Sequence, residues 1–140
     1  MKTKLIILLF LIGMSSYAQN IVYVCLSPVD LGTGLRIDHI QGKTGSYASV
    51  SFGEYKWNAN YIEDHVKVSL GFLNASDKIF ISYGLCLHDY GRTNVPELKK
   101  IVTFPLSLEL GCATHFNHVS IAVRVDPIKM ESSLDFGFRF

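Results

Sequence analysis

A chain of 140 residues is sized for one domain. Its formal charge of +1 argues against a nucleic-acid or other polyanionic partner. Charged residues make up 18% of it, below the roughly 25% usual in soluble domains, and a soluble fold would have to hide its many aromatic side chains.

Lys2 and Lys4 precede an apolar run over 5–13, and Ser15, Ser16, Tyr17 and Ala18 follow. A basic start, a short apolar core and small residues describe a secretory signal peptide over 1–18, with cleavage expected after Ala18. The run falls short of the about 20 residues that a transmembrane helix needs. Cys25 follows Val24 and lies well past the apolar run, so lipidation is not expected. The mature domain is then 19–140.

Eight strands are expected in that domain. The first, 20–26, is apolar on both faces and gives no orientation. A turn at 27–30 leads to a strand over 33–40, where Leu35, Ile37 and His39 alternate with Gly34, Arg36 and Asp38. After a short turn at 41–45, the strand 46–57 sets Ala48, Val50 and Phe52 against Tyr47, Ser49, Ser51 and Gly53. A polar loop is expected over 58–64, then a strand over 65–73 with Val66, Val68, Leu70 and Phe72 opposite Lys67, Ser69 and Gly71. A tight turn at 74–77 precedes the strand 78–88, in which Ile79, Ile81, Tyr83, Leu85 and Leu87 oppose Ser82, Gly84, Cys86 and His88.

The longest polar connection is expected over 89–100. The sixth strand, 101–112, contains Pro105, which would cost a ladder hydrogen bond and suggests a bulge. A turn around 115–117 leads to the strand 118–126, with Val119, Ile121, Val123 and Val125 against Ser120, Ala122, Arg124 and Asp126. After a turn at 127–131, the last strand, 132–140, places Leu134, Phe136, Phe138 and Phe140 on one face and Ser133, Asp135, Gly137 and Arg139 on the other.

An even strand count, with short connections after strands two, four and six, suits an all-β, eight-stranded antiparallel up-and-down transmembrane β-barrel. Periodicity alone does not say which face is inside. Residue size does: the polar faces carry glycines, serines and Ala122, which fit a narrow lumen, while the apolar faces carry uniform Leu, Ile, Val and Phe suited to lipid.

The last strand, SSLDFGFRF, resembles the closing strand of bacterial outer-membrane barrels. The stretches SPVDLG from Ser27, SFGEY from Ser51, ISYG from Ile81, DPIKME from Asp126 and DFGF from Asp135 resemble short, largely uncharacterised members of the small outer-membrane β-barrel proteins of Gram-negative bacteria. The resemblance implies a cell outer-membrane location with lipid around the barrel. It also implies a barrel-assembly machinery that reads Phe136, Phe138 and Phe140, and it brings no catalytic residues.

Inside such a barrel a structural charge cluster of Glu109, Arg124 and Asp135 is expected, with Arg36, Asp38 and Lys67 at other levels, because buried charges need partners. Eight strands leave no open pore. The expected role is structural or surface-interacting, with an extracellular partner placed on loops 58–64 and 89–100. Tyr55, Trp57, Tyr61, Tyr83 and Tyr90 suit an interfacial aromatic girdle.

Two further readings differ in chemistry. His118 and Ser120 have a spacing that resembles the His-x-Ser of outer-membrane lipid A deacylases, yet the alternation puts both on the lumen face, so an enzyme is not expected. A soluble periplasmic, lipocalin-like barrel would turn the apolar face inward around a hydrophobic ligand. No cofactor or metal is expected, since His39, His65, His88 and His115 are scattered in sequence. Cys86 and Cys112 fall on opposite faces and are not expected to pair.

Overall fold

The computed structural model describes residues 19–27, 32–57, 60–76, 78–89 and 105–140, and side chains at all of these except 54–57 and 60–64. The signal-peptide reading of 1–18 and most of the connection 89–100 lie outside the described residues, as do the side chains of Tyr55, Trp57, Tyr61 and Tyr90.

Among the described residues every regular element is a strand: β1 Gln19–Ser27, β2 Gly32–Gln41, β3 Thr44–Trp57, β4 Asn60–Ala75, β5 Ile79–Asp89, β6 Leu106–Phe116, β7 Val119–Asp126 and β8 Glu131–Arg139. Each pairs antiparallel with its sequence neighbour, and β8 returns to β1, closing an eight-stranded barrel. The closing seam runs to the last residue, where the Phe140 N–H donates to the Asn20 carbonyl at 3.1 Å. Closure leaves no sheet edge, so the backbone groups of the ladder satisfy one another.

One end of the barrel holds Gln19, Phe140 and the short connections 42–43, 76–78 and 117–118; this is the terminal end. The other, the loop end, receives the connections 28–31, 58–59, 90–105 and 127–130. Turn chemistry fits the tight hairpins. Gly42 sits at φ 64° and Asn117 at φ 56°, the left-handed region these two types enter most readily.

Several boundaries differ from expectation, among them the end of β6, which runs to Phe116 rather than 112. β3 and β4 continue through the expected loop 58–64, pairing Tyr55 with Ile62 and Trp57 with Asn60, so only 58–59 connect them. The alternation of that stretch is weak, but a long hairpin satisfies its backbone donors better than a loop would. Residues 101–104 of the expected sixth strand lie outside the described residues; β6 is described from Leu106 to Phe116, and the carbonyl of Pro105 just before it accepts the His88 N–H at 2.7 Å. The register shift among the described pairs instead falls between Gly53 and Tyr55. Glu131 belongs to β8, not to the preceding turn, and points inward.

Burial follows the period-two pattern and is inverted relative to a soluble barrel. The buried set includes Arg36, Asp38, Lys67, Glu109, Arg124, Asp126, Glu131 and Asp135. The exposed set is dominated by Leu, Ile, Val and Phe, with Leu70 60% and Leu85 51% exposed. The apolar-inward arrangement of a lipocalin-like barrel is therefore not the one observed. β1 acquires an orientation through its neighbours: Ile21, Tyr23 and Cys25 face in, and Val24 and Leu26 face out.

The terminal end of the lumen is apolar, which the alternation of polar faces did not foretell. Ile21, Ile40, Leu73, Phe80 and Ala113 pack together there. Two tyrosines above this plug lie against glycines. A Cβ on Gly137 would stand 2.5 Å from Tyr23 Cδ1, and one on Gly71 would stand 2.5 Å from Tyr47 Cε1. The glycines vacate wall space that the rings then fill.

Candidate functional site

Three polar layers stack above the apolar plug. In the lowest, Arg36 and Asp38 alternate along β2 and pair side chain to side chain, with Arg36 Nη2 to Asp38 Oδ2 at 3.1 Å. The guanidinium carbon lies 4.1 Å from the Tyr47 ring centroid and 5.5 Å from that of Tyr23. Cation–π contact and an ion pair together offset the desolvation of the buried guanidinium.

The middle layer joins the residues expected to cluster. Arg124 Nη1 donates to both Glu109 oxygens at 3.0 Å, and its Nε and Nη2 bind Asp135 in a two-pronged pair, with Nη2 to Oδ1 at 3.1 Å. Arg124 Nη1 also reaches Ser49 Oγ at 3.2 Å, across the lumen. Gly111, not Glu109, is the direct partner of Arg124 across β6 and β7, so Glu109 is reached diagonally, as is Asp135 on the other side. Ser69 donates to Glu109 at 3.2 Å, and the buried Cys86 thiol approaches it at 3.7 Å. Lys67 Nζ lies 3.2 Å from Glu109 Oε2 and 3.5 Å from Glu131 Oε2, linking this layer to the next.

The upper layer, at the loop end, is where the fold gathers residues that are distant in sequence. His65 on β4 and His88 on β5 meet edge to edge in nearly one plane, with ring centroids 5.3 Å apart and planes 3° from parallel, and His65 Nε2 stands 3.0 Å from His88 Nδ1. Glu131 Oε1, from β8, lies 3.8 Å from the first nitrogen and 3.7 Å from the second. The other nitrogen of His88, Nε2, meets Ser107 Oγ at 2.6 Å and Asp126 Oδ2 at 3.1 Å, and Ser107 also donates to that Asp126 oxygen.

Asp126 Oδ1 accepts the N–H groups of Ile128 and Lys129 at 3.0 and 2.9 Å, so one carboxylate fixes both the 127–130 turn and the His88 ring. Burial pushes the Lys129 ammonium in that turn below its usual range, against the pull of Asp126 and Glu131. The period-two pattern placed His88 on the polar face of its strand. Reading that pattern back from Asp135 through Ser133 would have placed Glu131 there too.

The other histidines stay apart from this layer. His118 does not share the lumen face with Ser120. It occupies the exposed two-residue turn before β7, where its ring stacks on Phe138 at 6.0 Å. Ser120 is buried, and its hydroxyl meets Tyr23 at 2.7 Å. No dyad forms between them, because a tight hairpin breaks the alternation that the sixth-to-seventh strand connection was expected to preserve. His115 points inward at the terminal end, edge-on to Phe80 at 3.8 Å, and His39 bonds Asn20 at 2.9 Å. Cys25 and Cys86 are buried and Cys112 is exposed; none is paired in a disulfide.

Phe136, Phe138 and Phe140 all face outward, between 46% and 67% exposed, on the strand that closes the barrel. The lumen cavity bounded by Cys25, Lys67, Arg124 and Glu131 measures about 10 Å³. That is about the least volume that holds one water. No protein-family model and no curated protein matches this sequence.

Proposed function

We propose that the protein is a small outer-membrane β-barrel with a structural or surface-interacting role, exported through an N-terminal signal and not a pore. One observation carries this reading: the inverted distribution of polarity in a closed barrel. Among the described residues, charged side chains fill much of the interior, while Leu, Ile, Val and Phe dominate the outward face of the strands. In water that face would be a large exposed apolar surface of the kind monomeric proteins avoid. Next to lipid it costs nothing, and the closed ladder leaves no backbone group unsatisfied in hydrocarbon.

On this reading the terminal end, with its short hairpins, faces the periplasm, and the loop end faces the outside. Phe136, Phe138 and Phe140 stand on the lipid side of the closing strand, where the assembly machinery would grip the chain. An extracellular partner would meet the loop-end connection over 89–100, since 58–64 of the other expected loop is largely taken up by the β3–β4 ladder.

Heat modifiability tests the proposal. The protein, expressed in a Gram-negative host with its own N-terminal segment, is fractionated and run on SDS gels with and without boiling. A folded membrane barrel stays SDS-resistant and fractionates with outer membranes, and its band shifts on boiling. A soluble periplasmic protein with no shift would overturn the reading.

A further inference from the structure

We propose that His65, His88 and Glu131 form a binding site for one divalent transition-metal ion at the loop end of the lumen. The geometry of three atoms carries the proposal. His65 Nε2, His88 Nδ1 and Glu131 Oε1 form a triangle with sides of 3.0, 3.7 and 3.8 Å. The point equidistant from its corners lies about 2 Å from each, the length of a zinc–imidazole or zinc–carboxylate bond. All three side chains are buried. The two ring nitrogens now aim at each other, so each ring turns slightly in its plane for its lone pair to reach the ion.

The surroundings fit a metal ligand set. His88 turns its remaining nitrogen to the Asp126 carboxylate and Ser107 hydroxyl. A carboxylate behind an imidazole fixes the ring and raises its basicity toward a metal. Glu131 presents Oε1 to the rings, while its other oxygen is held by Lys67. With a proton on His88 Nε2 directed at Asp126, His88 Nδ1 is a lone-pair donor. The N–H that now bridges the two rings belongs to His65 Nε2. An entering ion displaces that proton, which passes to His65 Nδ1 as the ring changes tautomer, so the ring stays neutral and Nε2 offers its lone pair.

Charge supports a cation there. Among the described buried side chains, five carboxylates (Asp38, Glu109, Asp126, Glu131, Asp135) face four cationic groups (Arg36, Lys67, Arg124, Lys129). Arg36 and Asp38 pair with each other, and Arg124 is taken by Glu109 and Asp135. Counted together, these described groups carry one negative charge in excess, shared through Lys67 between Glu109 and Glu131.

Two nitrogens and one oxygen suit a borderline ion such as Zn²⁺, Ni²⁺ or Cu²⁺ better than Ca²⁺ or Mg²⁺. A second grouping, Cys86, His88 and Asp126, also brings donor atoms together, but there Asp126 is already hydrogen-bonded to His88 Nε2, Ser107 and two backbone N–H groups. The ion would tie β4 and β5 to β8 across the lumen, so it would brace the barrel mouth from inside. The site does not depend on the membrane reading, since the same side chains meet in the barrel whatever surrounds it.

The test uses the full chain, unfolded in denaturant with a chelator, refolded with Zn²⁺, and passed through a desalting column. Detergent is present if the protein fractionates with membranes and absent if it does not. Elemental analysis is expected to find one zinc per chain, and urea unfolding a higher midpoint with Zn²⁺ than without, because an ion bound to the native state stabilises it. His65→Gln and Glu131→Gln should each retain less than a tenth of the wild-type zinc while still refolding, as judged by circular dichroism.

Asp126→Asn should weaken zinc, measured against a chromophoric chelator, by about 10–100-fold. Cys86→Ala, His39→Gln and His118→Gln should bind zinc like the wild type. A refolded wild type that retains no zinc would overturn the proposal. So would undiminished zinc in His65→Gln and Glu131→Gln, or loss of zinc in Cys86→Ala.

Discussion

The Tyr23 phenol reaches from β1 over Gly137 of β8 and stands 2.7 Å from the hydroxyl of Ser120 on β7. Ser120 in turn donates to the Thr114 carbonyl at 3.3 Å, so the phenol donates to the serine oxygen. Both groups are buried, and each satisfies the other. Ser120→Ala would leave the phenol without this acceptor and should cost about 1–3 kcal/mol. His118→Ala, at an exposed turn, should stay within about 0.5 kcal/mol of the wild type. Urea unfolding of the two refolded variants measures both. Equal losses would mean that His118 and Ser120 act as a unit after all.

Arg124 is the hub of the middle layer. Arg124→Met removes the cation shared by Glu109 and Asp135 and leaves two buried carboxylates with reduced compensation. The expected loss is about 3–5 kcal/mol. Adding Glu109→Gln and Asp135→Asn to the same chain should restore most of it, because the carboxylate charges then disappear with their partner. An unchanged unfolding midpoint in Arg124→Met alone would show that Lys67 can take over both acids.

Gly137 makes room for Tyr23. A Cβ there would meet Tyr23 Cδ1 at 2.5 Å, Cε1 at 2.6 Å and Ile21 Cγ2 at 2.9 Å, all side-chain atoms. Overpacking of this kind costs about 1–3 kcal/mol, so Gly137→Ala should unfold at lower urea. Tyr23→Leu vacates part of the space. A double-mutant cycle should therefore show a favourable coupling of at least about 0.5 kcal/mol between the two sites. Strict additivity would place the clash elsewhere.

Leu70, Leu85 and Leu108 form a row on the outer face of β4, β5 and β6, in direct register. If lipid surrounds the barrel, Leu85→Arg should cost about 2–4 kcal/mol when the protein is refolded into bilayers. If water does, an exposed Leu85→Arg should lie within about 0.5 kcal/mol of the wild type. Folding titrations in urea, with lipid vesicles present, separate the two outcomes.

Strand order and facing were legible in the sequence because a barrel strand needs only a period of two, and runs such as Leu134 to Phe140 or Val66 to Phe72 keep it without a break. Residue size added the inversion: glycine and serine on one face and uniform Leu, Ile, Val and Phe on the other leave little choice of interior. Charge complementarity was legible to the same depth, since Glu109, Arg124 and Asp135 lie on one face of three consecutive strands.

Other features were decided only by closure. β1, apolar on both faces, was oriented by pairing with β2 and β8. Tyr47 and Tyr23 acquired their glycine partners through register, which a strand pattern does not contain. His65, His88 and Glu131 are far apart in sequence and carry no spacing motif; β8 brings its carboxylate to the two rings only because the sheet curls back on itself. A period of two states which way a side chain points, but the distance between two inward-pointing groups across a lumen is a property of the barrel's curvature and stagger.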